Sequence, residues 1–74
     1  MKLTVKLFAY FRDDRFVAEV LDLPPDTSIQ DIAVKLDIDP DEVGILMINS
    51  RQSNLQAKPS EGDTVAIFPK VGGG

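Results

Sequence analysis

Apolar and polar residues alternate along the first ten positions of the chain. One side of an extended backbone carries three apolar residues, Leu3, Val5 and Leu7. The other side carries Thr4, Lys6, Phe8 and Tyr10. Such alternation is typical of a half-buried β-strand. A polar turn at 12–15 separates this strand from a second β-prone run at 16–23, so the two segments predict a hairpin.

A helical pattern follows the hairpin. Pro24-Pro25 ends the second strand, because proline cannot donate a hydrogen bond to a strand ladder. Thr27 and Ser28 both offer helix N-caps, and Thr27 with Gln30 fits a capping box. An apolar stripe then recurs at helical spacing through Ile29, Ile32, Ala33 and Leu36. We therefore predict one helix near residues 28–36, ending ahead of Pro40.

The second half of the chain predicts shorter elements. In order, they are a turn or short helical piece at 39–44, a strand at 45–49, a polar tip at 50–54, a short edge strand at 55–59, a turn at 60–63 and a strand at 64–68. Pro69 ends the last strand. The chain accordingly divides into a domain at 1–69 and a flexible Gly-rich C-terminal tail at 70–74.

The order of these elements predicts the fold. Two hairpins that flank one helix form the α+β architecture called β-grasp, or ubiquitin-like. We expect a mixed sheet of four to five strands with one main helix packed on one face. The first and last strands should lie side by side at the sheet centre.

Size and composition favour a binding or carrier module over an enzyme. The chain has 74 residues, which allows one domain with a thin core and no room for a deep active-site cleft. It contains neither Cys nor His, so it lacks thiolate and imidazole ligands and the nucleophiles and bases built on them. We expect no metal site and no bound cofactor.

Charge and hydropathy narrow the choice of partners. The net charge is −4, which repels phosphate backbones, so we do not expect nucleic acid as a partner. The acidic balance favours basic partner proteins. The N-terminal segment has no apolar run long enough for a signal peptide or membrane span. We therefore expect a cytoplasmic protein that does not enter membranes.

Two acidic segments resemble functional sites but fit them poorly. The run Asp37–Glu42 opens like a calcium loop, yet Glu42 and Ile48 occupy the places that require Gly and Glu. Asp13 and Asp14 form a carboxylate pair at a hairpin tip between two arginines, where exposure to water disfavours a role in acid–base catalysis. We interpret both segments as solvated surface.

Phe8 and Phe68 indicate a binding surface. By alternation, each lies opposite the core-facing residues of its strand. If the first and last strands are neighbours, the two rings lie together on the outer face of the sheet. Burying a phenylalanine stabilises by ~1.5–3 kcal/mol, so two such rings at a surface favour an interface with a partner. The alternative is that one ring is partly buried at the sheet rim.

The C-terminal tail carries the most specific chemistry. Gly72, Gly73 and Gly74 form no helix and add nothing to a core. A chain end without side chains can pass through a narrow channel, and five extended residues reach ~17 Å. If only the glycines are considered, a frayed chain end without a function is as good an interpretation as a functional tail.

Two segments resemble one protein family. The opening Val5-Lys6-Leu7-Phe8-Ala9-Tyr10-Phe11-Arg12-Asp13 is similar to the first strand and turn of the small subunit of molybdopterin synthase, the MoaD family. The ending, 62–74, resembles that family's G-D-x-V-x-x-x-P-x-V-x-G-G pattern, and Asn49 also matches. The likeness covers the whole chain in element order. Two positions depart from the pattern. Lys70 stands where the family often has a second proline, and Gly72 stands where a small polar residue is common.

The resemblance implies a sulfur carrier rather than an enzyme. An E1-like enzyme would use ATP to adenylate the Gly74 carboxylate, and a sulfurtransferase would supply sulfur to form a thiocarboxylate. The sulfur would pass to a pterin precursor on the large subunit of molybdopterin synthase. The partner-binding residues would be Gly73, Gly72, Val71, Pro69, Phe68 and Phe8.

Three alternatives share much of this pattern. Sulfur carriers of the thiamine thiazole pathway have the same fold and Gly-Gly end, although their first hairpin usually lacks an aromatic stretch such as 8–11. A protein modifier joined to lysines through Gly74 needs the same activated end. A β-grasp module that docks small GTPases would leave the tail inert.

Overall fold

The computed structural model describes residues 1–70. Its elements, in chain order, are β1 (Lys2–Leu7), β2 (Ala18–Asp22), α1 (Ile29–Lys35), β3 (Val43–Ile48), β4 (Arg51–Gln52) and β5 (Thr64–Pro69). Single 3₁₀ turns span Ala9–Arg12 and Pro40–Glu42. The five strands form one sheet in the order β2-β1-β5-β3-β4. Strands β1 and β5 are parallel and the other pairs antiparallel. This mixed sheet with one main helix confirms the predicted β-grasp fold.

The core lies between α1 and one face of the sheet. The two central strands bury their inner residues completely: Leu3, Val5, Leu7, Val65 and Ile67 are 0% exposed. The helix supplies Ile29, Ile32 and Ala33 from its predicted apolar stripe, and all three are buried. Each large side chain buried in this way contributes ~1.5–3 kcal/mol. The inner face therefore holds the domain together.

The first strand is shorter than predicted. It ends at Leu7, and Ala9 then adopts a left-handed backbone with φ of 53°. The resulting 3₁₀ turn rotates Phe11 into the core, where it is 2% exposed. The prediction of a strand through Tyr10 was wrong because burial of Phe11 turns the chain away from the sheet. The second strand is also shorter than 16–23 and begins at Ala18.

The helix begins with a capping box one residue later than predicted. The Ser28 hydroxyl accepts from the Asp31 N–H at 3.1 Å, and the Asp31 carboxylate accepts from the Ser28 N–H at 3.1 Å. Thr27 belongs to the preceding turn, since its hydroxyl donates to the Pro24 carbonyl at 2.6 Å. Asp31 thus takes the place predicted for Gln30, because its acceptor oxygen satisfies a free N–H at the helix start.

The short edge strand occupies Arg51–Gln52, within the segment predicted to be a polar tip. Asn49 and Ser50 both have positive φ and form a two-residue turn, which folds Arg51 back onto Ile48. Such turns match the twist of a hairpin. The turn therefore starts the returning strand earlier than the sequence predicted.

The segment at 55–59 contains no strand and instead caps the helix. The Leu55 carbonyl accepts from the Gln30 N–H at 2.9 Å, and the Ala57 carbonyl accepts from the Ile29 N–H at 3.0 Å. N–H groups in the first helical turn have no partner within the helix. The main chain at 55–57 satisfies them, which is why it leaves the sheet.

Candidate functional site

The parallel neighbours β1 and β5 end at the same edge of the sheet. Leu7 of β1 lies opposite Ile67 of β5, so the next residues, Phe8 and Phe68, are neighbours. Their rings stack with centroids 4.0 Å apart and planes 10° apart. Both side chains are half-buried. The predicted proximity of Phe8 and Phe68 is confirmed, whereas their binding role remains a prediction.

An apolar surface continues from this stack onto β3. Ile45 lies opposite Phe68, and Met47 lies opposite Ala66. Directly opposed residues share a face of the sheet. We name this surface the outer apolar face and define it as Phe8, Ile45, Met47, Ala66 and Phe68. Ile45 is 43% exposed, so water reaches the face and a partner can cover it.

Two cations border the outer apolar face. The Arg12 guanidinium lies over the Phe8 ring, 5.1 Å from its centroid, and its Nε donates to the Leu7 carbonyl at 2.7 Å. Lys6 is exposed between the buried Val5 and Leu7, so it points to the outer face. The cation–π contact and the hydrogen bond hold Arg12 in place. Two positively charged side chains therefore border the outer apolar face of a chain whose net charge is −4.

The main chain at the end of β5 is held against β3. We name Pro69 and Lys70 the tail root, because they precede the last four residues. The Lys70 N–H donates to the Glu42 carbonyl at 2.9 Å. Pro69 is buried and lies opposite Val43, so β5 extends one residue beyond the predicted strand. The register shifts between Val43 and Ile45, which places Gly44 in a bulge beside the tail root.

Glu42 also contacts the 3₁₀ turn that follows β1. The Tyr10 hydroxyl donates to the Glu42 carboxylate at 3.5 Å. Desolvation, and then the charge and hydrogen bond of Glu42, raise the pKa of Tyr10 above its ordinary value. Tyr10 and Glu42 therefore join two loops that flank the tail root.

The remaining predicted site residues, Val71, Gly72, Gly73 and Gly74, lie outside the described residues. Within residues 1–70, no group of three or more acidic side chains is placed to hold a metal ion. No helix in this range is long and apolar enough to cross a membrane. The described part of the site is an exposed apolar surface beside the tail root.

Sequence reasoning missed four residues near the tail root: Arg12, Glu42, Gly44 and Ile45. Ile45 appeared only as part of a strand, and Arg12 only as part of a turn and of the opening segment that carries the family resemblance. Gly44 carried a usable signal, since an isolated glycine beside a strand pattern indicates a bulge or a close backbone approach. The contact of Glu42 depends on the tertiary fold and has no local signal.

Solved structures share this fold. The putative molybdopterin converting factor, subunit 1, of Pyrococcus furiosus is 25% identical, with a TM-score of 0.75, over 96% of this chain and 99% of that chain. SAMP1 from Haloferax volcanii is 22% identical with a TM-score of 0.75, and both chains are covered fully. A complex of subunits 1 and 2 of the molybdopterin-converting factor from Helicobacter pylori matches at 16% identity and a TM-score of 0.64, again over both whole chains. A comparison with curated proteins found no match.

The amino-acid sequence itself identifies the family. Residues 5–74 match the ThiS family, a range that includes both segments on which the resemblance rested. The putative molybdopterin converting factor, subunit 1, of Pyrococcus furiosus has the same β-grasp fold. The chain therefore belongs to the ThiS family, whose members are small β-grasp carrier proteins and not catalytic enzymes.

Proposed function

We propose that this protein carries sulfur on the carboxyl group of Gly74. The observation that supports this proposal most directly is the outer apolar face beside the tail root. A docking surface next to a glycine-rich chain end suits a protein that delivers its own terminus into a partner. The match to the ThiS family, which extends to residue 74, supports the same role.

The proposed chemistry activates a poor electrophile. The Gly74 carboxylate attacks the α-phosphate of ATP on an E1-like enzyme, which forms an acyl-adenylate and releases pyrophosphate. A sulfide equivalent from a sulfurtransferase then attacks the carbonyl carbon, and AMP leaves. The product is a thiocarboxylate, whose sulfur is a soft nucleophile for the next acceptor. The partners supply the acids and bases, because this chain has neither Cys nor His.

The partner surface should be apolar and carry carboxylates at this face, although the net charge of −4 alone favours basic partner proteins. An apolar patch would cover the Phe8–Phe68 stack, and acidic side chains would meet Arg12 and Lys6. The activating enzyme and the sulfur acceptor would bind the same face in turn, since each must receive the same chain end. ATP-dependent activation agrees with the cytoplasm as the place of action.

The acceptor we propose is the large subunit of molybdopterin synthase with its pterin precursor. Two similar structures support this choice, because they are of a putative molybdopterin converting factor subunit and of a molybdopterin-converting factor complex. One of them is a complex of subunits 1 and 2. The alternative acceptor belongs to thiamine thiazole synthesis or another sulfur pathway, which the family match supports equally.

Protein modification is a second candidate function. One similar structure is that of small archaeal modifier protein 1 from Haloferax volcanii. A modifier would use the same adenylated Gly74 but form an isopeptide bond with a lysine. Peptide mass spectrometry of cell extracts separates the two functions, since only a modifier leaves Gly74 attached to lysine side chains.

Intact-mass analysis tests the sulfur-carrier proposal. The protein is incubated with ATP, its E1-like enzyme and a sulfurtransferase. We expect a mass gain equal to the difference between one sulfur and one oxygen atom, and no gain in a variant that lacks Gly74. An unchanged mass under conditions in which the activating enzyme consumes ATP would refute sulfur loading.

A further inference from the structure

We propose that Gly44 is a positioning residue that fixes the direction in which the chain end leaves the domain. The inference rests on the proposed function, because it concerns how the reactive terminus is presented. Gly44 lies in the β3 bulge beside the tail root.

The space around Gly44 admits no side chain. A β-carbon built at this position would lie 2.8 Å from the Lys70 Cα, 2.8 Å from the Pro69 carbonyl oxygen and 2.9 Å from the Lys70 nitrogen. All three atoms are main chain, so no side-chain rotation relieves the overlap. The glycine is needed here for close approach.

A hydrogen bond holds the same point from a second direction. The Lys70 N–H donates to the Glu42 carbonyl at 2.9 Å. Pro69, the other residue of the tail root, is buried opposite Val43. The main chain is therefore fixed up to the residue immediately before the terminal four. Gly44 allows this arrangement, since any larger residue would separate the two strands.

A fixed tail root matters because the proposed reaction takes place at Gly74, at the end of the short arm formed by residues 71–74. When the outer apolar face is docked and the arm is drawn out in a partner, displacement at the root moves the terminal carboxylate. A methyl group at position 44 must retreat by about 0.6 Å to reach ordinary contact at 3.4 Å. Misplacement of reacting groups by about 1 Å lowers rates by ~100-fold. Gly44 therefore affects where the terminal carboxylate is placed in the partner, and not how tightly the outer apolar face binds it.

The test compares Gly44→Ala with Gly62→Ala. Gly62 is a matched control, because its φ of +83° makes alanine strained while no atom lies within 4 Å of the new β-carbon. Its N–H donates to the Lys2 carbonyl, at the opposite end of β1 from the tail root. Gly62→Ala thus destabilises the domain without moving the tail root.

Three measurements separate positioning from stability. Thermal melts give the folded fraction, so that every rate is expressed per folded molecule. Hydrogen exchange reports the Lys70 amide, and ATP–pyrophosphate exchange with the E1-like enzyme gives kcat and KM. For Gly44→Ala we expect faster exchange of the Lys70 amide, a kcat lower by about 10- to 100-fold and a nearly unchanged KM. For Gly62→Ala we expect the wild-type kcat, KM and Lys70 protection.

The outcomes distinguish this inference from the proposed function. Wild-type kcat in Gly44→Ala would overturn the positioning role and leave the sulfur carrier intact. An equal loss of kcat in both variants would also overturn it, because strain alone would then explain the effect. Absence of ATP–pyrophosphate exchange with the unaltered protein and its cognate enzyme would overturn the proposed function itself.

Discussion

Main-chain hydrogen bonds fasten both ends of β5, from the Asn49 N–H to the Thr64 carbonyl at 2.8 Å and from the Lys70 N–H to the Glu42 carbonyl at 2.9 Å, but side-chain hydrogen bonds are added at its start. At its start, side chains connect β5 to the end of β3: the Asn49 amide donates to the Asp63 carboxylate at 2.9 Å and its oxygen accepts from the Thr64 N–H at 2.9 Å. The Ser60 N–H completes the group by donating to Asp63 at 2.8 Å. At its other end, the strand is held by a main-chain hydrogen bond from Lys70 and by close approach to Gly44.

The start of β5 therefore serves the stability of the fold, whereas its end serves partner binding and the placement of the C-terminus. The polar cluster at 49 and 60–64 closes the domain with directional bonds and presents no apolar surface to a partner. At the C-terminal end of β5, the stacked rings of Phe8 and Phe68 are only half-buried, so a partner can cover the outer apolar face in a complex. We infer that variants at the start of β5 weaken the fold, whereas variants at its end weaken partner binding and activation.

The largest effect should distinguish two neighbours in sequence, Leu7 and Phe8. Leu7→Ala removes a side chain that is 0% exposed and should lower the free energy of unfolding by ~2–5 kcal/mol. Phe8→Ala should cost less stability, because its ring already contacts water. It should instead weaken partner binding by about 2 kcal/mol or more, as expected for an aromatic anchor. Urea unfolding and calorimetric titration with the activating enzyme measure the two quantities.

Phe68 provides a second test of the same contrast. Ile67→Ala and Phe68→Ala form an inner and outer pair on β5 that parallels Leu7 and Phe8 on β1. Equal destabilisation by all four substitutions would contradict the division between the inner face and the outer apolar face.

A smaller effect is expected from Asn49→Ala. The substitution removes the two hydrogen bonds to Asp63 and Thr64 and should lower the free energy of unfolding by about 1–2 kcal/mol. Activation by the E1-like enzyme should retain its kcat, since the tail root is unaltered. Asn49→Gly is the control, because glycine accepts the φ of 52° found at this position. If Asn49→Gly is as stable as the wild type, backbone strain rather than hydrogen bonding explains the loss.

The smallest effect should appear as a dependence of stability on acid pH. The Ser60 N–H, and then the Asn49 side chain, lower the pKa of Asp63 below its ordinary 3.8. A lowered folded pKa means that this stabilisation is complete above the ordinary value and disappears as the pH falls through the folded value. Melting temperatures measured on acidification should decline less steeply for Asp63→Asn than for the wild type. An identical decline in both proteins would show that Asp63 does not contribute.

Much of the fold was predictable because local patterns and tertiary structure agree. The alternation of Leu3, Val5 and Leu7 and the helical stripe from Ile29 to Leu36 are short-range signals that identify the buried face directly. The same alternation placed Phe8 and Phe68 on the other face. Their stacking then followed from the parallel pairing of β1 and β5.

The errors arose where tertiary contacts override local preference. Alanine rarely adopts positive φ, so the turn at Ala9 that buries Phe11 left no signal in the sequence. Arg51–Gln52 is too polar and too short to be recognised as a strand, and its position depends on the turn at 49–50. The role of Gly44 required the distance to the tail root, which no sequence pattern contains.

Deletion of Gly74, tested by ATP–pyrophosphate exchange with the E1-like enzyme, addresses the central claim most directly. The truncated arm is ~3.5 Å shorter, so the carboxylate of Gly73 would lie out of line with ATP. We predict that exchange is lost while the melting temperature stays almost unchanged, since the deletion removes no side chain. Exchange at the wild-type rate by the truncated protein would contradict the account, because Gly74 would not be the reactive end.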